Sequence, residues 1–380
     1  VVEFLTAFKV ADNSILPKKY CFPRPGWYEY KNELYFIDPR GNFSTASEGL
    51  DLRDLFVDDK NQTAKYLIEQ GNIDNFKAIY DEVIKKSPLA RFFLALSVVV
   101  PLLKICDCRN FAIHLYGTTT SGKTTLMKVA SSLVGNPSMV RSFNTTKNAL
   151  NRLALDRFDF PFYVDEKQSA DKNLRENLME FIYTTCNGQS KERCNRDGSL
   201  QPSIDGRTII FTNGETPLIS DNATGGAFTR LLQIQLQNKI FDSDDCKRIW
   251  QYVGNNYGFI FPRIIEEYFN AGFDNIRKKF ADLKKNLEKS TADISEQYRD
   301  ILALAVIGDI FLNKVIADVE FNQAQDSALA MAAKVSKLIP TRADISDASR
   351  EIDCVLNFIS RYQKYFIGAL SDSADVPKEY

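Results

Sequence analysis

The sequence predicts an α/β protein built on a mainly parallel sheet with flanking helices, preceded by a small α+β region and followed by a helical cap. Three patterns in its 380 residues lead there. From residue 86 to 240, the strand-like FAIHLYG, FPFYVDE, RTIIFTNGE and RLLQIQLQ alternate with the helix-like TLMKVASSLVG and LRENLMEFIYTTCNG, the pattern of parallel strands joined through helices. Ahead of it, in residues 1–85, GWYEYKNELYFIDPRG alternates aromatics around a Lys-Asn turn and IDNFKAIYDEVIKK has helical spacing. Behind it, in residues 241–370, Ile276, Phe280, Leu283 and Leu287 fall on one helix face and ILALAVIGDIFLNKVI reads as a buried helix. Residues 371–380 read as a tail.

Composition narrows the function. Net charge is −1, with 48 basic and 49 acidic residues, so no global basic field draws in nucleic acid and any such contact must be local. The apolar run FFLALSVVVPLL is broken by Pro101 and followed by Lys104, short of the roughly 18 residues of a membrane span. A cytoplasmic protein without membrane contact is the expectation. The seven cysteines form no Cys-x-x-Cys pair, and the chain holds one histidine, so the thiols are expected reduced and mostly buried rather than bridged or metal-bound. A start at Val1 rather than Met suggests a fragment.

HLYGTTTSGKTTLMKVASSLVG carries the chemistry. Gly117, Gly122, Lys123 and Thr124 satisfy G-x-x-x-x-G-K-[ST], with a strand before and a helix after. In such a P-loop the residues Gly117, Thr118, Thr119, Thr120, Ser121, Gly122, Lys123, Thr124 and Thr125 wrap a nucleotide's phosphates. Lys123 neutralises the β- and γ-phosphates and the Thr124 hydroxyl ligates Mg²⁺. Leu126, Val129, Ala130 and Leu133 give the following helix its core face, and Gly135 ends it.

About forty residues on, FPFYVDE ends an apolar strand in Asp165 and Glu166. Asp165 is placed to hold the Mg²⁺, and Glu166 to polarise an attacking water, which favours hydrolysis over transfer. Asn213 leaves the next strand where it could orient that water or touch the γ-phosphate, although Asn-Gly is also an ordinary turn. Arg230, just before the last apolar strand, lies outside the site formed by its own cradle; a ring-forming ATPase would offer a finger to its neighbour from there.

The ordered set Lys123, Asp165, Glu166, Asn213 and Arg230 resembles the AAA+ ATPases, and NGQSKERCNRDGS narrows the resemblance. With FNTTKNAL and ASREIDCVLNFISRY, the chain looks like the P-loop domain of phage, plasmid and mobile-element replication proteins, similar to superfamily-three and MCM-like replicative helicases. That resemblance implies an AAA+-like fold, ATP and Mg²⁺, a hexameric ring, and a DNA helicase working with other replication proteins such as a primase. SKERCNRDGSLQ has basic residues on either side of an Asp-Gly turn; in the resembling helicases such a hairpin enters the pore, where Lys191, Arg193 and Arg196 would grip one DNA strand. A solvated turn reads the same residues equally simply, and Lys147 and Arg152 are the alternative basic contact.

His114, inside the strand leading to the cradle, reads as a core histidine; Arg299, opening the long helix of the cap, could reach a nucleotide as a second sensor, an assignment the sequence leaves open. A GTPase would need Asn-Lys-x-Asp after the carboxylate strand, and a small-molecule kinase an arginine-rich lid; neither is present. A loader, remodeller or packaging motor of the same ATPase class stays open.

Overall fold

Four strands with side chains of alternating fate organise the molecule. The computed structural model describes residues 19–46, 50–142, 153–165, 172–186, 206–219, 230–345, 355–356 and 358–362. The lead-in holds β1 (Tyr20–Phe22), β2 (Gly26–Tyr30), β3 (Glu33–Ile37), β4 (Phe43–Ser44) and β5 (Leu55–Val57). β2, β3 and β4 form an antiparallel meander, and β1 pairs in parallel with β5. Lys31 and Asn32 take φ of 52° and 65°, the double left-handed conformation that closes a two-residue hairpin between twisted strands.

Two long helices, with a single further turn at Leu102–Ile105, lead to the main sheet. These are α1 (Ile73–Glu82) and α2 (Pro88–Val98). Ser87 caps α2 by accepting from Ala90 N–H, and Pro88 opens it, where a missing N–H costs nothing. Then follow β6 (Phe111–Tyr116), α3 (Lys123–Val134), β7 (Arg141–Ser142), β8 (Phe162–Asp165), α4 (Lys172–Cys186), β9 (Ile209–Gly214) and β10 (Leu231–Gln235). The five strands are all parallel, in the order β10-β6-β9-β8-β7. β9 therefore lies between the cradle strand β6 and the carboxylate strand β8. The edge strand β7 is two residues long, too short to leave a period in the sequence.

Period-two alternation divides these strands between two cores. Ile113, Leu115, Tyr163, Phe211 and Leu232 face a large core, whereas Ala112, Phe162, Val164, Ile210 and Leu231 face a second one closed by Leu178, Phe181 and Ile182 of α4. The large core is one continuous cluster from Trp27 in the lead-in to Ile339. It takes in α3, α2 and the helical C-terminal region: α5 (Ser243–Val253), α6 (Ile260–Ala271), α7 (Phe273–Ser290), α8 (Glu296–Ala317) and α9 (Phe321–Val335). The α7 stripe of Ile276, Phe280, Leu283 and Leu287 is buried, as its spacing requires. α8 packs along α2, tied by a buried ion pair between Arg91 and Asp309.

One sequence suggestion fails here. Arg299 sits at the start of α8 beside Tyr298, whose hydroxyl donates to the carbonyl of Leu231 at the beginning of β10. That is the end of the sheet opposite the cradle, so Arg299 is no sensor of a nucleotide held in its own chain. The cysteines differ in burial. Among the five described, Cys108 and Cys186 are buried, Cys106 and Cys246 half-buried and Cys21 exposed; all are free thiols. No helix among the described residues is long and apolar enough to cross a membrane, and no cluster of three or more His, Cys, Asp or Glu that could hold a metal occurs among them.

Candidate active site

The carboxyl ends of β6, β8 and β9 meet the first turn of α3 around an open cleft of about 670 Å³. The loop from β6 into α3 is shaped by backbone conformations that side chains resist: φ is +148° at Gly117 and +89° at Gly122. A Cβ on Gly122 would also stand 3.2 Å from the Phe241 nitrogen, because the chain after β10 folds over the loop and Ile240 N–H donates to Ser121 O at 2.9 Å. The first turn of α3 then points its N–H groups, which have no partner within the helix, toward the cleft.

Lys123 is 9% exposed. Its ammonium donates to Gly117 O at 2.8 Å, Thr118 O at 2.7 Å and Ser121 Oγ at 3.0 Å. All three partners are neutral. Burial holds this lysine below its ordinary range, while the carboxylates of Glu215 and Asp165 pull it back up. The Thr124 hydroxyl donates to Asp165 Oδ1 at 3.4 Å, and Asp165 is 4% exposed at the end of β8. A hydroxyl and a carboxylate converging at a phosphate cradle are hard oxygen donors, which fits Mg²⁺.

Asn213, 2% exposed, lies beside Asp165 in register across β8 and β9, and both line the cleft. The structure thus brings together Lys123, Thr124, Asp165 and Asn213. Glu166 lies outside the described residues, as do Lys191, Arg193, Arg196, Lys147 and Arg152. Arg230 is placed elsewhere: it precedes β10, its carbonyl accepts from Ala112 N–H, and its guanidinium stands 5.6 Å from the Tyr183 ring. The five residues of β10 separate it from the cleft end of the sheet, roughly 17 Å at strand rise.

Sequence reasoning missed the rest of the cleft wall. Glu215 lies two residues past Asn213, and Asp242, Ser243 and Cys246 come from the start of α5. Asp242 caps α5 by accepting from the N–H groups of Asp244 and Asp245, and Trp250 Nε1 donates to Thr125 Oγ1 at 3.1 Å, fixing α5 beside the cradle. The Asp-Ser-Asp-Asp start of α5 carries a helix-capping signal, but nothing local shows what it packs against.

Cradle, parallel sheet and flanking helices define a helicase-like P-loop fold. The SCCmec type IV Cch protein, described as an active helicase, is similar in structure with a TM-score of 0.72 and 19% identity, over 98% of this chain and 70% of its own. Residues 1–205 match the family described as a domain of unknown function, DUF927, and the chain belongs to that family. A candidate ATPase from Cytophaga hutchinsonii reaches a TM-score of 0.35 and 11% identity over 76% of this chain and 94% of its own, too distant to bear on the fold. No curated protein matches the sequence.

Proposed function

We propose that the chain is a Mg²⁺-dependent AAA+ ATPase motor that forms a ring, a hexamer by its resemblance, and drives unwinding of or translocation on DNA as the replicative helicase of a mobile genetic element in the cytoplasm. One observation carries the ATPase part: a buried lysine bonded only to neutral groups, beside Thr124 and Asp165, at the mouth of a P-loop. A triphosphate offers Lys123 the anionic partner that it lacks. Bound Mg²⁺ would supply charge neutralisation across the β- and γ-phosphates, held by Thr124 and Asp165. Glu166, the next residue, takes a proton from the attacking water, Asn213 orients that water, and ADP leaves. Arg230, remote from its own cleft, reaches the γ-phosphate of a neighbouring subunit.

The DNA part rests on the overall likeness to Cch and on the basic residues Lys191, Arg193 and Arg196, which would line the pore around a single strand. Strand displacement on forks with 3′ and 5′ tails tests it. Mg²⁺- and ATP-dependent unwinding of one fork, lost in Glu166→Gln, is the expected result. ATP turnover without displacement of either fork would reassign the motor to loading, remodelling or packaging.

A further inference from the structure

His114 is the chain's single histidine, fully buried in the middle of β6. Its neighbours lie on one face of the sheet. Nδ1 is 2.8 Å from Thr212 Oγ1 on β9, and Nε2 is 3.0 Å from the carbonyl oxygen of Thr216, beyond the end of β9. A carbonyl can only accept, so Nε2 carries the proton and in the neutral ring Nδ1 accepts from the Thr212 hydroxyl, for which the Ile113 carbonyl at 3.3 Å is the longer, competing acceptor. The ring also stacks on Tyr116 at the cradle end of β6, with centroids 6.0 Å apart and planes 10° apart. In a core of Ala112, Ile210 and Leu231, an imidazole is costly unless both nitrogens are satisfied, and here both are.

The held carbonyl belongs to the segment that begins just past Asn213, at the end of β9, and carries Glu215. That segment leaves β9 and turns back across β6 toward β10, where Ile219 N–H donates to Gln233 Oε1 at 3.1 Å, and Leu218 and Ile219 are buried in the second core. Among the described residues, side chains staple it at two points, one from the cradle strand and one from β10. Glu215 between them is exposed and lines the cleft, close enough to act on Lys123 by its charge.

We infer that His114 is a positioning residue: through its Nε2–H bond to the Thr216 carbonyl, it fixes the segment that leaves β9 and so keeps Glu215 aimed over the cradle, beside Asn213 at the strand's end. This rests on the ATPase reading. It assigns work to a side chain that touches no nucleotide, and it separates binding from turnover. The cradle that holds phosphates is built by β6 and α3, whereas Glu215, across the cleft from Lys123, hangs on the stapled segment, where a displacement of about 1 Å can cost up to a hundredfold in rate.

Two polar replacements test the bond itself. The amide of Gln reaches the place of Nε2, whereas the amide of Asn reaches only the place of Nδ1, so His114→Gln keeps a donor for Thr216 and His114→Asn does not. ATP turnover, KM for ATP, calorimetric ATP affinity and Tm are measured on the full chain. His114→Asn should lower kcat about tenfold or more, with KM and affinity within about twofold, and His114→Gln should stay within about threefold of the parent. Equal kcat in the two variants, or kcat and affinity falling together with Tm, overturns the inference while leaving the ATPase reading intact. A parent without turnover overturns both. Should His114→Asn not fold, Gln233→Leu loosens the other staple: a loss in kcat of about threefold or more at unchanged KM supports the inference, and unchanged kcat overturns it.

Discussion

Arg91 and Lys123 are both largely buried cations, one in the helical layer and one at the mouth of the sheet, and their partners differ in kind. The Arg91 side chain is 13% exposed and reaches both oxygens of Asp309, itself fully buried, along with Ser327 Oγ at 2.9 Å. Burial pushes the Asp309 carboxyl above its ordinary range, against the hydrogen bonds from Arg91 and Asn313. Lys123 has two backbone carbonyls and a hydroxyl. The first charge is neutralised within the chain and pins α2 to α8. The second is neutralised only in part, by carboxylates acting at a distance, and is therefore the one that can exchange its partners for an anion. A buried charge with its counter-ion in hand marks architecture; one held by neutral groups at an open cleft marks a binding site.

The sharpest way to break that contrast is to remove the counter-ion. Asp309→Ala leaves a mostly buried guanidinium unpaired and should cost about 3 kcal/mol of stability, the lower end of what a broken buried pair costs because Arg91 keeps some exposure. Denaturant unfolding reads this, and ATP affinity of the folded fraction should not change. Lys123→Ala should do the reverse, weakening ATP binding about a hundredfold, or about 2.8 kcal/mol, with Tm little altered. If Lys123→Ala destabilised the chain as much as Asp309→Ala, the distinction would collapse.

Two smaller effects extend the comparison to other charges. Changing Arg193 and Arg196 together to Ala should weaken single-strand DNA binding and flatten log affinity against log salt by about 0.7 for each lost phosphate contact. An unchanged slope would remove these two arginines from the DNA contact and turn attention to Lys147 and Arg152. On the surface of the lead-in, the side-chain hydrogen bond from Arg53 lowers the Asp51 carboxyl to about 2. A depressed acid contributes stability above its unfolded range and loses it as pH falls toward 2. Because the pair is exposed, Asp51→Asn should leave Tm at neutral pH unchanged within error.

What could be read from the sequence was whatever is written locally. The cradle, the carboxylate at the end of β8 and the buried stripe of α7 each depend on residues within one or two turns or one strand, and the structure has them as read. The wall made by Asp242, Ser243 and Cys246 was invisible because it depends on α5 docking beside α3 through Trp250 and Thr125, positions 125 residues apart in the chain. Arg299 was misplaced for the same reason: a residue opening a helix carries no mark of which end of the sheet that helix meets. His114 was legible as a core residue, but its partners Thr212 and Thr216 come from β9 and the segment after it, about a hundred residues away.

Phosphate release from ATP by the full chain, with and without Mg²⁺ and in parallel with Lys123→Ala, tests the central claim most directly. Turnover by the parent that requires Mg²⁺ and is abolished in a folded Lys123→Ala variant is the predicted result. No turnover by the parent under any condition, or equal turnover by the variant, would contradict it.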